Sequence, residues 1–169
     1  MVLSSNLKNI LNNNAIEYYN ANKNNDKEKV NQACRNIGID TMGWDCIGNG
    51  SGRNVFDMEI LGYSDYVLKL AVPHPNYSGI RQNKHETKLW NSKMNSRQKE
   101  YVAPVINSGI NNCWLVMPKG KSEPRIDNEW LDNAIYYLND LVWEDDIQRE
   151  NVVLINGDLK ICDYGMPPQ

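Results

Sequence analysis

The residues of this chain whose types and spacing could do chemistry are a lysine inside an apolar strand, an acid on the next helix, and an asparagine and an aspartate bracketing a hairpin. In "YVLKLAV", strand alternation puts Val67, Lys69 and Ala71 on one face. The Lys69 ammonium therefore stands among apolar neighbours unless an anion receives it. Glu86, in the following "RQNKHETKLW", is placed to be that anion, although either residue alone reads equally well as a solvated surface charge. In "NVVLINGDLKICDYG" two short apolar runs, Val152 to Ile155 and Leu159 to Cys162, are joined at Asn156-Gly157, the strongest short hairpin signal. Such a hairpin returns Asp163 to the neighbourhood of Asn151, and both side chains offer the hard oxygen that magnesium takes. Asp146 precedes Asn151 in "EDDIQREN", which otherwise reads as a solvated acidic loop. "GNGSGRNV" is a glycine-rich turn between two strands, either a plain hairpin turn or a place where backbone N–H groups approach a phosphate without Cβ interference.

These groups need elements to carry them. "WDCIGNG", "RNVFDMEIL" and "DYVLKLAVP", separated by "GSG" and "GYSD", predict three antiparallel strands, and "VAPVINSG" and "CWLVMPKG" predict two more. Between the two groups "GIRQNKHETKLWNSK" predicts a helix with Ile80, Lys84 or His85, and Leu89 on one face. Residues 128 to 143 predict the clearest helix, with Trp130, Leu131, Ala134, Ile135, Leu138, Leu141 and Val142 on a broad apolar face. Residues 1–40 differ in texture. Leu7, Leu11, Ala15 and Tyr18 or Tyr19 recur at helical steps behind a Ser4 or Ser5 cap, and Val30, Ala33 and Cys34 mark a second helix stopped by Gly38. These two helices read as an extension packed on the main domain or as an interaction element.

The order of three strands, helix, two strands, helix, loop and hairpin, with its motifs in register, resembles a protein kinase fold over residues 46 to 165. The resemblance implies an α+β architecture: a five-stranded antiparallel lobe with its αC-type helix over 41–120, and a minimal second lobe of one long helix, catalytic loop and hairpin over 121–169. It implies that the glycine loop covers nucleotide phosphates, with Gly48, Gly50 and Val55 matching G-x-G-x-x-G-x-V. Arg53 stands at the third glycine, Gly52 is one place early, and Ser51 and Gly52 belong to the same loop. Lys69, paired with Glu86, would contact the α and β phosphates. Met117 would be the gatekeeper, with Pro118 offering its carbonyl and Gly120 its N–H to adenine, and Val67 and Val153 would lie against the nucleotide. Asp146 would orient and deprotonate a substrate hydroxyl, while Asn151 and Asp163 would hold magnesium. The "GIRQNKHE" stretch is also similar to one in short kinase-like proteins of bacteriophages.

The departures from that family are specific. Glu144 and Asp145 replace the His and Arg of the catalytic loop, Tyr164 replaces the Phe of D-F-G, and Met166 to Gln169 are the residues after Gly165. The expectation is a cleft for Mg-ATP with little substrate platform. Its activity would be slow transfer of the γ-phosphate to a Ser/Thr hydroxyl of a protein, either itself or a host partner. The alternatives are a pseudokinase that binds nucleotide or a host protein, and a scaffold using the fold for contact alone.

Composition bounds these readings. The chain has 169 residues, a 41% hydrophobic share, five Trp and nine Tyr, so it is long and apolar enough for a real core. A net charge of -3 gives no broad attraction to nucleic acid or anionic lipid. No apolar run approaches the ~18 residues of a membrane span. Cys34, Cys46, Cys113 and Cys162 are widely spaced with no leader before them, which predicts reduced thiols in a cytoplasmic protein, the host cytoplasm if the source is viral.

Overall fold

A computed structural model describes residues 3–40, 45–50, 52–122 and 125–166. The protein is α+β, built on a five-stranded antiparallel sheet. Its strands are β1 (Cys46–Asn49), β2 (Arg53–Asp57), β3 (Tyr66–Ala71), β4 (Asn107–Ser108) and β5 (Trp114–Pro118), in the order β1-β2-β3-β5-β4. Opposed residues of antiparallel strands share a face. The register Val55↔Lys69↔Leu115 and Asp57↔Val67↔Met117 therefore sets one face, and Phe56↔Leu68↔Val116 the other.

The second face is covered by the amino-terminal helices, α1 (Ser5–Lys23) and α2 (Lys27–Ile37). Ser4 caps α1 by accepting from the Leu7 N–H, Asp26 caps α2, and Gly38 ends α2 with φ of 92°. Leu7, Leu11, Ala15 and Tyr18 of α1, with Ala33, Cys34 and Ile37 of α2, form one core with Phe56, Leu68, Leu70, Trp114 and Val116. Two polar contacts fix the seat: Trp114 Nε1 donates to Asn12 Oδ1 at 3.0 Å, and Asn54 Nδ2 to the Tyr18 hydroxyl at 2.6 Å.

The first face looks onto a second core, which Val67, Leu115 and Met117 share with the helix Asn128–Leu138 and a three-stranded sheet. That sheet is β6 (Lys121–Ser122), β7 (Val152–Ile155) and β8 (Asp158–Ile161), in the order β6-β7-β8. The hairpin turns at Asn156 and Gly157, both with positive φ. Its second strand is held by residues 101–103: Ile161 N donates to Tyr101 O at 2.8 Å, and Ala103 N to Ile161 O at 2.9 Å. Asp163 is thereby carried under β3.

Several local expectations are corrected. The final helix stops at Leu138 instead of 143, because the N–H groups of Leu141 and Val142 both turn back to the Leu138 carbonyl, at 2.8 and 2.9 Å. "MEIL" leaves the second strand as a turn over Glu59–Leu61, and "VAPVINSG" pairs only through Asn107–Ser108 and an isolated bridge from Val102 to Ile161. β8 begins and ends one residue earlier than expected. α3 (Gly79–Lys88) buries Gln82, Asn83 and Glu86, not the predicted stripe through Ile80 and His85; Leu89 of that stripe is buried just beyond its end. No described helix is long and apolar enough to cross a membrane. All four thiols are free, and burial pushes Cys34 and Cys113 up to about 11.

Candidate active site

A buried ionic cluster lies where β2, β3, α3 and the segment after β8 meet. Lys69 follows from the pleat: it points from β3 to the first face and is nearly inaccessible. Glu86 is 0% exposed on the inner side of α3. Lys69 Nζ lies 3.4 Å from Glu86 Oε1 and also donates to the Cys162 carbonyl. The Tyr164 N–H donates to the same Glu86 oxygen at 3.0 Å, tying the end of the hairpin segment to α3. The Tyr164 side chain is buried, and its hydroxyl donates to Ala103 O at 2.7 Å. Every polar group introduced by tyrosine at this position is thus satisfied.

The cluster has a second cation that motif reading did not assign to the site. Arg53, two positions from Val55 on β2, points to the same face and is only 2% exposed. Its Nη1 lies 2.9 Å from Glu86 Oε2 and 3.4 Å from Asn83 Oδ1, and its Nη2 donates to Asp163 Oδ1. Gly165 leaves room for the guanidinium: a Cβ there would lie 3.1 Å from both Nη atoms. Strand alternation was the signal for Arg53, since Val55 was already assigned to the cleft. Nothing in the sequence pointed to the Cys162 carbonyl.

Beside the cluster opens a cavity of about 320 Å³. Of the residues assigned to a nucleotide site, Gly48, Val55, Val67, Lys69, Met117, Pro118, Gly120, Asn151, Val153 and Asp163 all line it. Val55, Val67 and Met117 descend from the sheet, while Val153 rises from the hairpin directly against Gly120, where a Cβ would come within 2.3 Å of Val153 Cγ2. Ile47, Lys119, Ser122, Glu150 and Cys162 complete the lining and were not anticipated.

Four assigned residues lie elsewhere. Glu86 is behind Lys69, inside the protein. Gly50 and Gly52 do not line the cavity: Gly50 N donates to Arg53 O at 2.8 Å, closing the turn, and Gly52 O accepts from Val72 N at 2.8 Å. Gly52 packs instead on the start of α3, where a Cβ would fall 1.9 Å from Tyr77 O. Its small size serves a close approach of backbones. Ser51 lies outside the described residues. Asp146 sits next to the cavity, linked to it by Asn151, whose Nδ2 donates to Asp146 O at 3.1 Å.

The two aspartates have opposite electrostatics. Burial pushes the Asp146 carboxyl up to about 7; the Met166 N–H on its Oδ2, at 3.0 Å, and Arg53 pull it down, while the charges of Asp163 and Glu86 add to the rise. For Asp163 the surrounding protein also favours the neutral form, but Arg53 and Lys69 outweigh it and hold the carboxyl below its ordinary value. Asp146 is thus poised to take up or release a proton near neutrality, and Asp163 stays ionised.

The residues fit an apolar ring and a phosphate better than they fit a divalent cation. Asn151 keeps its side-chain oxygen available, but the Asp163 carboxylate is already engaged by a guanidinium. Among the described residues no group of three or more His, Cys, Asp or Glu side chains assembles to hold a metal ion. Comparison with known proteins adds nothing to this geometry: no family model matches the chain, and no curated protein matches it.

Proposed function

We propose that this protein is a protein kinase-like phosphotransferase that takes ATP in the cavity between the five-stranded sheet and the β7–β8 hairpin. One observation carries the reading: Gly48, Val55, Val67, Lys69, Met117, Gly120, Asn151, Val153 and Asp163, drawn from stretches spread over residues 48 to 163, line one cavity. The adenine stacks between Val55 and Val67 above and Val153 below, against the backbone of Met117 to Gly120. Lys69 faces the phosphates. Asp146 takes the proton of a Ser/Thr hydroxyl as the hydroxyl oxygen bonds to the γ-phosphorus and the bond to the β-phosphate oxygen breaks, releasing ADP. Its proton affinity near neutrality suits that role.

A second reading, nucleotide binding without transfer, is favoured by the engagement of Asp163 by Arg53. Thermal-shift titration with ATP, run beside transfer of label from γ-phosphate-labelled ATP to protein, separates the two. The phosphotransferase reading expects both signals, with label transfer lost and binding kept in Asp146→Asn. Binding without transfer leaves the second reading, and the absence of any ATP-dependent shift removes both.

A further inference from the structure

We infer that Arg53 is a built-in substitute for the divalent cation of this site, so that the cavity binds nucleotide without metal. This rests on the ATP-binding reading above. Two buried cations, Arg53 and Lys69, face two carboxylates, Glu86 and Asp163, so the cluster is electrically balanced from its own side chains. A magnesium ion serves such a site by neutralising a carboxylate and bridging it to phosphate oxygens. Arg53 already performs the first task. It contacts both carboxylates from a position 2% exposed, and a guanidinium remains charged at any working pH.

Three features converge on this placement. The Arg53 carbonyl accepts from Gly50 N at 2.8 Å. Asn83 Oδ1 receives Nη1. Gly165 leaves the space in which both Nη atoms lie. A divalent cation at Asp163 would lie beside the guanidinium, and because Arg53 and Lys69 already balance Glu86 and Asp163 it would leave the buried cluster with excess positive charge. Asp163 keeps 42% of its side chain exposed and lines the cavity, and Lys69 is left as the partner of the phosphates.

ATP affinity is to be measured by calorimetry on the full chain in EDTA and again in excess magnesium. The expected result is the same affinity in both within about twofold, against the tenfold or larger change that about 1.4 kcal/mol of lost metal bridging produces. Binding only in magnesium overturns the inference and leaves the ATP reading standing; no binding in either condition removes the ATP reading and the inference with it. Arg53→Met is expected to make binding magnesium-dependent by releasing Asp163. Unchanged binding of that variant in EDTA overturns the role of Arg53. Should Arg53→Met not fold, the wild-type comparison still decides the matter.

Discussion

Two hydrogen-bond donors and a second cation converge on Glu86: the Lys69 ammonium and the Tyr164 N–H on Oε1, and the Arg53 guanidinium as an ion pair with Oε2. Removing one member of a buried ion group leaves uncompensated charge and costs about 3–5 kcal/mol. Glu86→Gln keeps the shape and leaves two buried cations facing the single carboxylate of Asp163, so its urea midpoint is expected to fall by an amount equivalent to that range. Asp146 supplies a pH signature. Its folded-state value of about 7 lies above the ordinary 3.8, so the folded protein binds that proton more tightly than the unfolded chain. Its contribution therefore favours folding at low pH and is lost as pH rises through this window. Asp163, shifted downward, has the opposite sign: its contribution is present above the ordinary carboxylate value and lost on acidification. Asp146→Asn is expected to raise the Tm above pH 7 and flatten the pH dependence between 4 and 7, as read by thermal melts across pH. In the wild type, transfer activity is expected to rise with a midpoint near 7. Lys69, Glu86, Asn151 and Asp163 were legible from type and spacing. In the motif Arg53 was a break in the glycine pattern; only strand alternation with Val55 gave the face to which it points, because a motif says which residue is absent and not where its replacement points.

Elements bring these side chains together through close approaches of backbone. The start of α3 rests on the turn between β1 and β2, and a Cβ on Gly79 would lie 1.9 Å from Gly52 O and 2.8 Å from Ala71 Cα. Neither neighbour is a side chain that can swing away. Gly79→Ala is expected to cost at least the ~1–3 kcal/mol of an overpacked core. It should also weaken ATP binding, since moving α3 off β3 parts Glu86 from Lys69; chemical denaturation and calorimetry read the two effects separately. α3 also shows why periodicity misleads at a site. Its buried face is Gln82, Asn83 and Glu86, whose partners are the Tyr77 and Asn112 carbonyls, Arg53 and Lys69. An apolar stripe search discards that face, because burial there is satisfied by hydrogen bonds and charge instead of by hydrophobic contact. The hairpin was readable for the opposite reason: Asn156 and Gly157 take the positive φ the turn needs, a purely local requirement.

At the scale of the whole molecule, one sheet separates two cores. The face bearing Lys69 belongs to the site, and the face bearing Phe56, Leu68, Leu70, Trp114 and Val116 belongs to α1 and α2. Leu11 is fully buried in the core between α1, α2 and the sheet, and Leu11→Ala is expected to cost about 2–5 kcal/mol. Because the sheet lies between Leu11 and the cavity, ATP affinity of the folded variant should stay unchanged; a fall in affinity matching the fall in stability would mean the two faces are not independent. The amphipathic pattern of α1 was plain in the sequence, but not its partner, since a stripe of Leu7, Leu11, Ala15 and Tyr18 says that something covers it and not what.

The sequence by itself determined the pieces whose causes are local: strand alternation around Lys69, the turn at Asn156-Gly157, the stripe of α1 and the spacing from Asp146 to Asn151. Only the tertiary structure decided which charges meet. It placed Arg53 between Glu86 and Asp163, turned Gly52 toward α3 and away from the cavity, and raised the proton affinity of Asp146 while lowering that of Asp163. The physical reason is range. Dihedral preference and periodicity act over a few residues, whereas desolvation and Coulomb interaction depend on neighbours that the chain brings together from more than a hundred positions apart, as with Arg53 and Asp163.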